Sequence, residues 1–164
     1  MNLPVGDILE EGLPLKDFKP RQTLELLSDK LFSGYVVCGS EGIDGMEEGV
    51  LLFKKGEVIA AIYEYCKHRQ DSFGNDALPQ VMNSFLAPCG IVDIISLGLS
   101  RVDLVTAFND KITLSKTIPK KDIPKYLPKS YTRNFAEKEL KGLAKEEKSS
   151  YDILKRLGLG QLSK

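Results

Sequence analysis

The amino-acid sequence predicts an α+β fold, an antiparallel sheet of four to five strands with a central hairpin, packed by helices. Two observations support this prediction. Apolar runs 50–53 and 58–65 flank Gly56, which supplies the positive φ that a tight hairpin turn needs. Elsewhere, apolar residues recur at helical spacing. We expect a short C-terminal helical tail after this domain.

The second hairpin strand has apolar side chains on both of its faces. Alternation along a strand places Val58, Ala60 and Ile62 on one face, and Ile59, Ala61, Tyr63 and Tyr65 on the other. A strand of this kind is covered on both sides, at least in part. Helices could provide one cover, and a second molecule the other.

Three segments of the domain carry helical stripes. Thr23 can cap the first, the second begins at Asn75 or Asp76, and Ser100 can cap the third. The inward residues of these helices are predicted to be Leu24, Leu27 and Leu31, then Leu78, Val81, Met82 and Phe85, then Val105 and Phe108.

Further short strands are predicted at 35–38, 91–97 and 111–114, where apolar β-formers cluster. Segment 39–49 contains four glycines among four acidic residues and is predicted to be a flexible, solvated loop. Segment 66–73 is predicted to be a polar connection. The prolines of residues 1–20 favour an extended lead-in.

Charge divides the chain into an acidic body and a basic extension. Residues 1–116 hold 11 basic and 17 acidic side chains, whereas residues 117–164 hold 12 basic and 6 acidic ones. We therefore expect an α+β domain over 1–116, a Pro/Lys-rich linker over 117–133 and a short helical tail over 134–164. The tail either folds onto its own body or binds an acidic partner.

Composition is that of a globular protein, with 42% apolar and 28% charged residues. No run of 18 apolar residues occurs, so we expect no transmembrane helix and no membrane partner. The N-terminus holds acids in place of the basic region of a secretory signal. Three cysteines without framework spacing indicate reduced thiols in the cytoplasm.

Residues suited to metal binding or nucleophilic catalysis are few: Cys38, Cys66, His68 and Cys89. They lack the spacing of a zinc site, and the single histidine has no visible orienting partner. The glycine-rich segment lacks a phosphate-binding motif. We expect no catalytic, cofactor-binding or metal-binding residues, so the protein is predicted not to be an enzyme. The alternative is a small metal- or ligand-binding protein that uses these four residues.

Recognition of another protein is the leading hypothesis, because the tail presents apolar residues at helical spacing beyond a proline-rich spacer. The sequence thus predicts a non-enzymatic interaction or adaptor module, with a homodimer through the sheet left open. A nucleic-acid accessory role for the basic tail is the rival, although its glutamates lower the charge density. The candidate partner-binding residues are Tyr63, Tyr65, Leu140, Leu143, Tyr151, Ile153, Leu154 and Leu157.

The order of four segments resembles a known family: FSGYVVC, EGVLLFKKGEVIAAIYE, FGNDALPQVM and PCGIVDIISL. Over residues 12–98 the chain resembles the PatA N-terminal-like domain of bacterial signalling proteins, and archaeal proteins of unknown function with a similar plan. The resemblance implies a small α+β module that mediates protein contacts in regulation, without catalytic residues. The clearest matching positions are Gly34, Gly49, Phe53, Gly56, Val58, Ala61, Gly74, Ala77, Leu78 and Gly90. The acidic loop, the helix at 100–109 and the basic tail depart from the family pattern.

Overall fold

The computed structural model of the protein describes residues 3–135 and residue 137. The chain divides into two compact units, Met1–Tyr131 and Thr132–Lys164. Within the second unit, residues 134, 135 and 137 are helical, and the Glu137 amide donates a hydrogen bond of 3.1 Å to the Arg133 carbonyl. The remaining tail positions lie outside the described residues.

The first unit is built on one antiparallel sheet, which has seven strands among the described residues. The strands run in the order β1-β6-β2-β3-β4-β5, and β7 pairs with β4 beside β5. Their bounds are Asp7–Pro14 (β1), Gly34–Gly42 (β2), Gly45–Lys54 (β3), Glu57–Tyr65 (β4), Gln70–Phe73 (β5), Gly90–Ser96 (β6) and Thr113–Ile118 (β7).

The α+β class and the central hairpin, β3–β4, are confirmed, but the prediction of four to five strands is too small. Strands β1 and β5 are not among the predicted strands. Nearly every residue of β1 is exposed, so the strand has no alternating apolar pattern. Strand β5 is only four residues long and mostly polar.

Gly56 has φ +83° at the hairpin turn, as predicted. A Cβ atom at this position would lie 2.4 Å from the backbone oxygen of Ser28. The glycine is therefore required twice, for its backbone conformation and for the close approach of the first helix.

A bulge in β4 changes the predicted faces of the strand. Leu52 pairs with Ala60, but the next pair is Phe53 with Val58, so Ile59 is the extra residue. Ile59 packs against the cluster that contains Ala60, and Val58 shares a face with Ala61 instead. The predicted alternation is wrong for Val58 and Ile59, because a bulge resets the two-residue period.

Four α-helices lie in the described part of the first unit: Pro20–Asp29 (α1), Gly74–Ser84 (α2), Leu99–Phe108 (α3) and Ile123–Tyr126 (α4). Helix α1 starts at Pro20, not after Thr23, because the fixed φ of proline suits the first helical position. The predicted apolar stripe of α2 is confirmed, since all four of its residues are buried. In the first stripe Leu24 and Leu27 are buried, whereas Leu31 lies past the end of α1 and is exposed.

Both faces of the hairpin are covered, as its sequence predicted. Helix α2 packs on one face of β3 and β4. On the other face, Val102 of α3 and Ile112 of the turn Asp110–Ile112 join a buried cluster with Ala60 and Ile62. The chain itself therefore supplies part of the cover for which a second molecule was one possibility.

The prediction of a flexible loop over 39–49 is wrong. Strands β2 and β3 continue through this segment and leave only Ile43 and Asp44 between them. Gly49 faces α2, where a Cβ atom would lie 3.1 Å from Ser84 Oγ. Here a glycine gives the helix room to approach the sheet; it does not mark a loop.

Residues 117–131 of the expected linker belong to the first compact unit. Ile118, at the end of β7, and Ile123, in α4, are both buried. This part of the proline-rich segment is therefore packed. No helix in the described part of the chain is long and apolar enough to cross a membrane.

Candidate interaction surface

Helix α3 buries one apolar face and exposes another. Val102 is buried and Val105 packs partly against the core cluster, as expected. Leu104 and Phe108, one turn apart, are 57% and 84% exposed. The prediction that Phe108 points inward is wrong. Helix α3 packs on the sheet through Val102 and Val105, and Phe108 is its last residue.

The segment 3–5 lies beside this exposed face. The Tyr35 hydroxyl donates a hydrogen bond of 3.0 Å to the Pro4 carbonyl. Arg101 of α3 donates from Nη1 to the Val5 carbonyl at 2.7 Å. These two bonds fix the segment between the sheet and α3, and Val5 remains 85% exposed.

Between α3 and this segment is a cleft of about 470 Å³, here called the α3 cleft. Buried Ile62 and Ile112 contribute to its lining, together with exposed Leu104 and Phe108. Leu3 and Pro4 complete the apolar wall, and Asn109 is a polar lining residue. The site is suited to an apolar group, because burying such a group needs no charged partner.

The predicted contact residues Tyr63 and Tyr65 are in the interior, 3% and 4% exposed. Their rings meet edge to face at 5.3 Å. Tyr63 donates to the Glu47 carboxylate at 2.6 Å, and Tyr65 donates to the side-chain oxygen of Gln80 in α2 at 2.8 Å. In this conformation the two tyrosines support α2 and offer no surface to a partner. The tail candidates Leu140, Leu143, Tyr151, Ile153, Leu154 and Leu157 lie outside the described residues.

Cys38 and Cys66 are not activated as nucleophiles. Burial raises the pKa of the Cys38 thiol to about 12, against which a hydrogen bond with Ser84 acts weakly. Partial burial, followed by the charges of Glu64 and Glu48, also raises the pKa of Cys66. The thiolate, which is the reactive form, is therefore disfavoured at both positions.

His68 lies 2.9 Å, measured from Nε2, from an oxygen of Asp44, and Lys67 also pairs with that carboxylate. Hydrogen bonds from Lys67 and His68 lower the pKa of Asp44. The three residues join the β2–β3 turn to the β4–β5 turn. Within the described residues, no group of three His, Cys, Asp or Glu side chains is arranged to hold a metal ion.

A row of carboxylates crosses the sheet on the same face as the α3 cleft. Glu48 of β3 lies opposite Glu64 of β4, which lies opposite Asp71 of β5. Burial, and then the neighbouring carboxylates, raise the pKa values of Glu48 and Asp71. This row could not be predicted without the strand register.

The fold and the cleft define a small α+β module that exposes an apolar surface beside α3. The chain belongs to a family described as uncharacterized proteins conserved in archaea (DUF2226), whose model matches residues 1–109. The resemblance to archaeal proteins of unknown function is thus confirmed, while the match does not extend to the PatA N-terminal-like domain. No curated protein and no solved structure matches the chain.

The sequence held one signal for the missed surface. Helix α3 has apolar residues at 102 and 105 and again at 104 and 108, which form two adjacent stripes. A ten-residue helix on a sheet buries one such stripe. Two stripes on one short helix therefore indicate that one remains available for contact.

Proposed function

We propose that this protein is a non-enzymatic interaction module of cytoplasmic regulation, and that it binds a protein partner through the α3 cleft. The observation that carries the proposal is the exposure of Phe108, 84%, at the edge of an apolar cleft. Large apolar surfaces on soluble proteins mark interaction sites, and aromatic side chains are common anchors of binding energy.

The electrostatics of the described residues also favour recognition over catalysis. The candidate nucleophiles Cys38 and Cys66 have raised pKa values, and His68 is held by Asp44. The lining of the α3 cleft is mostly apolar, which favours binding. Nucleophilic catalysis needs a base beside an activated nucleophile, whereas recognition needs only complementary shape and apolar area.

The regulatory part of the proposal draws on the resemblance to the PatA N-terminal-like domain. Gly56 of the central hairpin and Leu78 of α2, both part of that pattern, have the structural roles that the sequence predicted. The basic amphipathic tail, residues 134–164, is proposed as an additional docking element. All but one of the α3-cleft residues discussed above fall within the family match, the exception being Ile112.

Affinity capture from the native host tests the proposal with one variant and one matched control. Phe108→Glu places a charge in the cleft, whereas Leu26→Glu makes the same change at a half-exposed leucine of α1. We expect a stoichiometric partner with the wild type and the control, and a loss of about 30-fold or more in affinity for Phe108→Glu. Capture that is equal for the two variants would overturn the proposal. Leu104→Ser, a milder change in the same cleft, confirms the result if Phe108→Glu impairs folding.

A further inference from the structure

We infer that the occupant of the α3 cleft is a second copy of this chain, which forms a twofold-symmetric dimer. This inference rests on the proposed function, since it uses the same surface, and it specifies the partner.

The surface carries a projection and a recess side by side. A twofold interface uses the same patch on both subunits, so a projection on one copy can meet the recess of the other. Phe108 projects from the end of α3, and the recess beside it has Ile62 and Ile112 in its lining. Phe108 of each copy can enter the cleft of the other, so that both aromatic rings are buried in one arrangement.

The exposed apolar area has the size that a dimer needs. Val5, Ile8, Leu104 and Phe108 are 85%, 60%, 57% and 84% exposed. At ~200 Å² for a fully exposed large side chain, they contribute on the order of 600 Å². Homodimer interfaces are about 65% apolar, so this corresponds to about 900 Å² per subunit, close to the ~800 Å² of a standard interface.

These residues share one side of the sheet. Ile8 lies opposite Ile95, which in turn lies opposite Tyr35. Tyr35 belongs to the cluster that α3 covers, and its hydroxyl bonds to Pro4. The exposed stripe of α3, the segment 3–5 and the start of β1 therefore form one surface.

The charges of α3 do not oppose the approach of a second copy of this chain. Helix α3 carries one cation and one anion, Arg101 and Asp103. Arg101 is bonded to the Val5 carbonyl, and Asp103 pairs with Lys54 at 2.5 Å. Two such helices can approach each other without net repulsion.

Sedimentation analysis of the full chain tests the inference. One chain has a mass of 18.2 kDa, and we expect the wild type to sediment at twice that mass, with a Kd on the order of 1 μM. Phe108→Glu is expected to raise this Kd by about 30-fold or more, and Leu26→Glu to leave it unchanged. A mixture of wild type and Phe108→Glu keeps one of two equivalent contacts, so its Kd should fall between the two. Thermal melts of each variant establish that the subunit is folded, and Leu104→Ser provides the same test with less perturbation.

Three outcomes separate this inference from the proposed function. A dimer that Phe108→Glu dissociates supports both. A wild type that remains monomeric up to about a hundred times the expected Kd overturns the dimer, and the proposed function stands if capture from the host still depends on Phe108. A dimer that is equally tight in Phe108→Glu overturns the dimer through this surface.

Discussion

The hydroxyl of Tyr63 donates a hydrogen bond of 2.6 Å to the carboxylate of Glu47, and both side chains are buried. Glu47 lies in β3 and Tyr63 in β4. Gly49 of β3 pairs with Tyr63 across the two strands, and a Cβ atom at Gly49 would lie 3.2 Å from the tyrosine ring. A buried carboxylate is stable only where a donor meets it, so this tyrosine has a structural role.

Removal of this hydroxyl should destabilise the fold. Tyr63→Phe leaves the Glu47 carboxylate without its donor, and we expect the free energy of unfolding to fall by about 1–3 kcal/mol. Burial raises the pKa of Tyr63, so the phenol remains a protonated donor across the neutral range. Urea denaturation measures the loss. Tyr126→Phe, at an exposed tyrosine of α4, is the control, with an expected change within about 0.5 kcal/mol. Equal effects of the two substitutions would contradict the role assigned to Tyr63.

A methyl group at the hairpin turn should be costly. In Gly56→Ala the side chain adopts a positive φ and approaches the backbone oxygen of Ser28, so we expect a loss of about 1–3 kcal/mol in unfolding free energy. Gly39→Ala is the matched control, because Gly39 lies within β2 and the nearest heavy atom to the added Cβ would be 3.8 Å away. We expect this control to change stability by less than about 0.5 kcal/mol. An unfolding free energy of Gly56→Ala equal to that of the wild type would show that the turn and α1 can move apart.

The carboxylate row should make the protein less stable at neutral pH than at mildly acidic pH. Glu48 lies opposite Glu64, and burial and the neighbouring carboxylates raise its pKa in the folded state. Glu48 therefore contributes to the free energy of unfolding at pH values below its pKa in the unfolded chain. This contribution is lost as the pH rises through its pKa in the folded protein. Glu48→Gln should stabilise the protein by about 0.2–1 kcal/mol at pH 7, with a smaller gain near pH 5.

Unfolding measured at both pH values tests this expectation. Glu57→Gln, at the start of β4 outside the row, is the control and should show no such gain. A Glu48→Gln variant that is less stable than the wild type at pH 7 would mean that the carboxylate makes a favourable contact.

The three cysteines should differ in reactivity. Cys66 and Cys89 are exposed, whereas Cys38 is buried with a pKa of about 12. A thiol-specific disulfide reagent should label two thiols in the native protein and the third only on unfolding. In Cys38→Ala the reagent should still label two thiols in the native protein, and it should label two instead of three in denaturant. Rapid native labelling of all three thiols would show that α2 opens readily from the sheet.

Features that depend on neighbouring residues in the sequence could be predicted. The turn at Gly56 and the stripe Leu78, Val81, Met82 and Phe85 follow from local conformation and helical period, and the structure has both. Glycines 39–49 misled the prediction, because two of them make room for neighbouring residues within a continuous hairpin. At Gly42 a Cβ atom would overlap the Glu47 side chain, and at Gly49 it would crowd α2.

The candidate surface was hidden for a similar reason. Phe108 has the spacing of a core residue, and only the placement of α3 against the sheet shows that Val102 and Val105 take that role. Tyr63 and Tyr65 gave the opposite error. They were expected to form a contact surface, but Glu47 and Gln80 supply buried acceptors that the sequence did not reveal.

Site-specific photo-crosslinking in the native host tests most directly whether the α3 cleft binds a protein. A photoreactive phenylalanine analogue replaces Phe108 in one variant and Leu26 in the other, both exposed on helices of the first unit. We predict a discrete adduct from position 108, joined to the cleft of a second copy or to another protein, and none from position 26. The same yield from both positions, or no adduct from position 108, would contradict the assignment of this surface.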